Sequence, residues 1–207
     1  MLTDSQDTCN SILTHAKAEF LALGFERASL RTIATKAGVT TGAVYRHFNN
    51  KQDLFDALVA PIRNDVLLRF QCETEAYINR LAEEGLAPMW NREESQWNMR
   101  EFILYIYAHF DEFRLLFLAS PPVAEDFFHA LVSMEVDCSY RYFTAAKQQG
   151  YSCKVPDKKE IHLIANAQFS ILVELVSHDI PKEDGLRYAA TLERFFMAGW
   201  QAIILEV

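Results

Sequence analysis

In the stretch GVTTGAVYRHFNNKQDLF, residues 38–55, Thr40, Thr41, Gly42, Tyr45, Arg46, His47 and Lys51 fall within about four turns of helix. Hydroxyls, a phenol, a guanidinium, an imidazole and an ammonium stand together, with no carboxylate before Asp53. At about 100° per residue, Val44 and Phe48 lie four apart and are expected to face inward with Thr40. Gly42 and Arg46 then point almost directly away from Val44, flanked by Ala43 and Tyr45. Two small side chains near a helix N-terminus let the backbone come close to base edges in a major groove. Tyr45 and Arg46 are placed to reach phosphates, and the capping threonines and helix N-terminus add donors. Lys51 and the amides opening the next helix offer another phosphate anchor, and Arg31 sits where the preceding helix would cross the backbone. Packing between helices is the other role open to Tyr45 and His47.

These residues need short helices held in register. Ile12, Leu13, Ala16, Phe20 and Leu23 repeat at three and four residues, and Gly24 suits a helix end. Ser29 can cap a second helix, LRTIATKA, ended by Gly38; Thr40 or Thr41 can cap a third that reaches Phe48. Asn50 can cap a fourth, with Asp53 in its favourable first turn, and Pro61 is expected to kink or end it. Further helices are expected at about 62–84, 96–109, 111–119, 124–149, 157–179 and 182–205, with loops at EEGLAPMWNREES, SPP, GYSCKVPD and HDIP. Strand alternation does not persist, so the fold class is all-α. The natural division falls near residue 50, giving 1–50 as a helix-turn-helix domain and 51–207 as a helical bundle.

Charge divides the chain in the same place. Residues 8–51 hold Lys17, Arg27, Arg31, Lys36, Arg46 and Lys51 against Glu19 and Glu26, a net of +4. The whole chain carries −8, which leaves −12 for the remainder. A small basic end on an acidic body suits a protein that meets a polyanion at that end alone. Half of the 207 residues are apolar and 13% are aromatic, which excludes a disordered chain. The polar, acidic start MLTDSQDTCN is no secretory signal, and FILYIYAHF is too short to cross a bilayer. A cytoplasmic protein with no membrane partner is expected. Cys9, Cys72, Cys138 and Cys153 lack metal-ligand spacing and read as structural thiols, with a redox-sensing thiol as the variant.

The stretch FERASLRTIATKAGVTTGAVYRHFNNKQDLF, preceded by a helix ending FLALGF, resembles the DNA-binding domain of TetR-type transcriptional regulators. The likeness covers roughly residues 8–58 and rests on the pattern G-V-[ST]-x-G-x-[VL]-Y-x-[HY]-F-x-x-K-x-x-L. It implies a homodimer on a palindromic double-stranded DNA operator, with contacts from Arg31, Thr40, Thr41, Gly42, Ala43, Tyr45, Arg46, His47 and Lys51. It also implies a C-terminal domain that binds a small effector and dimerises, with steric repression as the commoner mode. AHFDEFRLLFLAS is similar to the family's mid-domain helix break, and ERFFMAGWQAI to its last dimer helix.

Helix 102–108 is apolar all round and belongs inside a bundle. Helix 157–179 carries more apolar surface than one chain readily buries, and with 182–205 it could form a two-fold four-helix interface. Phe102, Tyr105, His109, Phe113, Phe128, Tyr142, Asn166 and Glu174 are the candidate effector contacts. Phe70, Tyr77, Trp97, Phe117 and Phe169 supply further apolar lining, and His162 another polar group. They suit a small, largely apolar or aromatic effector. No G-x-S-x-G, H-E-x-x-H or phosphate-cradling glycine loop occurs, so no catalytic residue, cofactor or metal is expected and the protein is read as a non-enzyme. A helical partner-binding protein without DNA binding is the remaining alternative.

Overall fold

The computed structural model describes residues 2–84 and 99–204, and the side chains of all of these except 2–4, 77, 82 and 84. Trp97, the side chain of Tyr77, and the expected loop beyond Glu84 lie outside the described residues. The helices are α1 (Leu2–Arg27), α2 (Leu30–Lys36), α3 (Thr41–His47), α4 (Lys51–Glu84), α5 (Met99–Ala108), α6 (Phe110–Arg114), α7 (Pro121–Gln148), α8 (Lys158–Ser177) and α9 (Lys182–Ile204). A π-helical turn, Leu115–Ala119, follows α6 directly. The fold is all-α, and no strand occurs among the described residues. No single described helix is long and apolar enough to cross a membrane.

Most helix ends follow from local chemistry. Gly24 breaks α1 at φ +74°, and one further turn resumes as far as Arg27. Asn50 caps α4 by accepting from the Asp53 amide at 2.8 Å. Asp157 and Glu160 form a reciprocal capping box on α8, and the two amide bonds to Asp157 hold its carboxyl below the usual range. Ser29 occupies the N-cap position of α2, but its hydroxyl makes no cap bond.

Two elements differ in detail from expectation. Pro61, expected to kink or end its helix, does not end it: α4 runs from Lys51 to Glu84. Val59, Ile62 and Val66 are buried at three- and four-residue spacing around it, and this packing outweighs the hydrogen bond that proline removes. The helix expected at 111–119 divides into α6 and the π-helical turn, with Pro121 opening the next helix.

The chain forms two compact units. The first comprises 1–64 and 109–125. Its core gathers Ile12, Ala16, Phe20, Ile33, Val44, Leu54 and Phe55, together with Phe113, Leu115 and Leu116. Phe20 and Phe25 both meet the Phe55 ring edge-on, at 5.1 and 5.3 Å. Lys17 of α1 bonds Glu112 at 2.9 Å and pairs with Asp111 at 3.3 Å across the same unit. Burial pulls the Lys17 ammonium down, but the two carboxylates outweigh it and hold its pKa above the ordinary value.

The second unit comprises 65–108 and 126–207. Met99, Phe102, Ile103 and Ile106 bury one face of α5, whereas Leu104, Tyr105 and Tyr107 are half-buried and Ala108 is exposed, so the helix expected to lie wholly inside is buried on one side. α5 packs on α9 at Gly185, where an added Cβ would lie 2.9 Å from Cε2 of Tyr107. The Tyr107 hydroxyl donates to the Ile180 carbonyl at 2.7 Å. Phe143 of α7 lies 5.9 Å from Trp200 of α9, and Phe70 of α4 lies 5.6 Å from Phe169 of α8.

Candidate nucleic-acid interface

The turn between α2 and α3 is built by its backbone. Gly38 adopts φ +71°, its amide reaches Thr35 O at 3.2 Å, and the Val39 amide reaches Ala34 O at 3.0 Å. Ser11 of α1 donates to the Ala37 carbonyl at 3.3 Å and ties the turn to the core. Thr40 then caps α3, its Oγ1 accepting from the Ala43 amide at 3.1 Å. Thr40 is exposed, so its expected inward position is corrected. It stands ahead of α3 with extended backbone (φ −79°, ψ 154°), where helical angles do not apply.

Beyond the cap, the two faces of α3 separate as the spacing predicts. Val44 and Phe48 are buried. Gly42 and Arg46 are exposed, Tyr45 is 54% exposed, and Thr41 and Ala43 are half-buried. A Cβ on Gly42 would meet only Thr40 Oγ1, at 3.8 Å, so the ground in front of the helix is open. His47 is half-buried with its ring 6.3 Å from Phe48. Arg31 is exposed on α2, and among the described residues neither Arg31 nor Arg46 is ion-paired.

The other basic residues of this segment are engaged. Lys17 meets Glu112 and Asp111, and Lys36 reaches the buried Glu19 at 2.7 Å. Arg27 donates to Leu23 O at 3.1 Å. Lys51 is half-buried, and its ammonium donates to the carbonyls of Phe25, Glu26 and Ala28. Spacing carried no signal for that arrangement, since the carbonyls lie more than twenty positions back and are exposed to Lys51 by the break at Gly24. The six cations are thus not equivalent: Arg31 and Arg46 are exposed without an ion pair among the described residues, Arg27 is exposed but bonded to its own helix, and Lys17, Lys36 and Lys51 are tied to protein oxygens.

The expected effector contacts are spread over both units. His109 and Phe113 belong to the first, where Phe113 is buried 5.7 Å from Phe117. Phe102, Tyr105, Phe128, Tyr142, Asn166 and Glu174 belong to the second. Phe102 and Tyr142 are buried, and Phe128 is half-buried. The Tyr105 hydroxyl donates to Asp65, which also accepts from Arg69 at 2.8 Å. Burial and then the bond to Asp65 push the Tyr105 pKa up to about 12. Asn166 and Glu174 are exposed on α8, and Glu174 meets His178 at 3.0 Å. An open cleft of about 620 Å³ lies between α7 and α8, lined by His129, Ser133, Val136, Lys158, Lys159, His162 and Leu163. Of the residues singled out from the sequence, it contains His162 alone. None of the four cysteines is in a disulfide.

A left-handed glycine joining two short helices, the second capped by threonine and small on its outer face, defines a helix-turn-helix protein. Residues 12–58 match the family described as Bacterial regulatory proteins, tetR family. The chain is 33% identical over 113 residues to the HTH-type transcriptional regulator SrpR of Pseudomonas putida, covering 55% of this chain and 52% of SrpR, about half its length. It is equally identical over 113 residues to the uncharacterized HTH-type transcriptional regulator TtgW, also of Pseudomonas putida, covering 55% of this chain and 83% of TtgW. Its fold is similar to that of NalD, the secondary repressor of the MexAB-OprM multidrug efflux pump in Pseudomonas aeruginosa. That likeness has a TM-score of 0.58 at 21% identity and covers 99% of this chain and 98% of NalD. The chain belongs to the TetR family of bacterial regulatory proteins.

Proposed function

We propose that this chain is a ligand-responsive, non-enzymatic transcriptional regulator that binds a palindromic double-stranded DNA operator as a homodimer. The outer face of α3 carries this reading: Gly42 and Ala43 leave room for base edges, while Tyr45 and Arg46 stand in solvent beside them. Thr40, Thr41 and the α3 N-terminus, Arg31 and His47 supply further donors toward the duplex, and Lys51 completes the set. Residues 1–50 hold the reading head, and 51–207 sense and dimerise.

Dimerisation draws on α8 and α9, within about 157–179 and 182–205. Leu163 is 69% and Phe195 70% exposed, and Tyr188 and Ile203 add apolar surface on α9. Two heads reading successive major grooves of such an operator must stand about 34–36 Å apart, one turn of duplex. The effector is a small, largely apolar molecule taken up in the C-terminal part, where Phe102, Tyr105, Phe128 and Tyr142 of the second unit offer aromatic side chains. It releases DNA by binding better to the conformer with the wrong head spacing, which makes repression by occlusion the working mode.

Selection from a pool of random duplexes by the purified protein tests the reading. A palindromic consensus bound by a species of twice the chain mass is expected, and Phe195→Asp should yield monomers with weakened binding. Failure to enrich any duplex would refute DNA recognition.

A further inference from the structure

We propose that the open cleft between α7 and α8 binds a small amphipathic anion, a single carboxylate head on an aliphatic body. The site goes beyond the regulator reading and stands apart from the aromatic side chains assigned to the effector, none of which lines it.

Two helical faces build the cleft. His129, Ser133 and Val136 follow one another at four and three residues on α7, and Lys159, His162 and Leu163 share a face of α8 by the same spacing. All six belong to the second unit, so one packed body holds both walls. Outside residues 8–51 the chain carries −12, yet this cleft is lined by two lysines and two histidines and by no carboxylate. A patch of donors within so acidic a body is selective for anions. Lys158 is engaged: its ammonium donates to Asp137 at 2.7 Å and lies 5.2 Å over the Tyr140 ring, which fixes it as a wall. The exposed side chains of His129, Ser133, Lys159 and His162 make no hydrogen bond or ion pair to the described residues. An ammonium, two imidazole N–H groups and a hydroxyl can serve both oxygens of one carboxylate. Charge decides between oxyanions. Asp137 matches Lys158, which leaves the Lys159 ammonium without an ion pair among the described residues, and that balance suits a singly charged carboxylate over a phosphate near −2. The body must be apolar, because Val136 floors the cleft at 8% exposure and Leu163 edges it. A volume of about 620 Å³ leaves room for far more than the head.

Octanoate is the probe, with octanol standing for the body alone and inorganic phosphate for an anionic head alone. Titration calorimetry on the full chain should show saturable octanoate binding with a Kd between about 10 μM and about 1 mM. Octanol and phosphate should each bind at least about tenfold more weakly. Lys159→Gln and His162→Gln, both at exposed positions, should each weaken octanoate by about three- to tenfold with an unchanged circular dichroism spectrum. Lys147→Gln removes an exposed cation of α7 outside the cleft and should bind as wild type does. Amide hydrogen exchange should slow on octanoate binding at residues 129–136 and 158–163. Absence of saturable binding, octanol or phosphate binding as tightly as octanoate, or wild-type affinity in both Lys159→Gln and His162→Gln would overturn the proposal. An equal loss in Lys147→Gln would reduce the effect to overall charge, and protection centred on 99–108 would move the ligand to the aromatic side chains; either result overturns it as well. None of these measurements contains DNA, so failure of the regulator reading leaves the cleft to be decided on its own.

Discussion

Gly42 offers a substitution that separates folding from recognition. Its φ is not in the left-handed region, and an added Cβ would have one neighbour, Thr40 Oγ1 at 3.8 Å, an ordinary contact. Gly42→Ala should therefore fold without strain. Glycine in a helix costs roughly 0.5–1 kcal/mol relative to alanine, and in this first turn the gain should be at most about 1 kcal/mol. Gly42→Leu starts from the same open Cβ position on an exposed residue and should fold as well. On DNA the consequence reverses. A side chain rising from the outer face holds the backbone away from base edges and removes one good contact pair or more, about 1–3 kcal/mol, or roughly fivefold to over a hundredfold in affinity. Thermal melts followed by circular dichroism, paired with fluorescence anisotropy on the selected duplex, measure the two effects. Gly42→Leu that melts at or above the wild-type temperature and still binds with wild-type affinity would refute the placement of α3 in the groove.

Three further substitutions probe the frame. Lys36→Met strands the buried Glu19 carboxylate and should cost about 1–3 kcal/mol in denaturant unfolding, most of which Glu19→Met in the same chain should restore. Gly185→Ala drives a methyl into the Tyr107 ring and should cost about 1–3 kcal/mol, with partial relief from Tyr107→Phe. Tyr105 holds its proton more tightly folded than unfolded, so its contribution is complete below pH 10 and lost as pH climbs toward about 12; Tyr105→Phe should flatten that alkaline decline in an unfolding series.

Helical spacing delivers the faces of α3 but not its cap. Val44, Phe48, Gly42 and Arg46 obey the period, since all four stand in or directly beside α3. Thr40 does not, because a capping residue has left the helix and its side chain answers to an amide instead. Pro61 does not end α4 for a different reason: a local rule gave way to the packing of Val59, Ile62 and Val66, which no local window contains. Lys51 could be recognised as a needed cation but not as one turned back on its own chain. Asn166 and Glu174 had the right chemistry for a polar anchor, yet periodicity alone could not choose between faces of a helix as apolar as α8, and both stand in solvent.

The first unit is not continuous in sequence. Lys17 and Glu112 bond across 95 positions, and the buried Leu115, Leu116 and Phe117 come later still. On a ribosome adding about 5–20 residues per second, α3 is finished on the order of ten seconds before residues 109–119 emerge. During that interval the reading head is present in outline but without its last layer, and closing it demands a long-range contact of the kind that slows folding. Binding competence is thus deferred until more than half of the polypeptide has been made, so a nascent or truncated product holding α1–α3 alone is not yet the reader that the finished protein becomes.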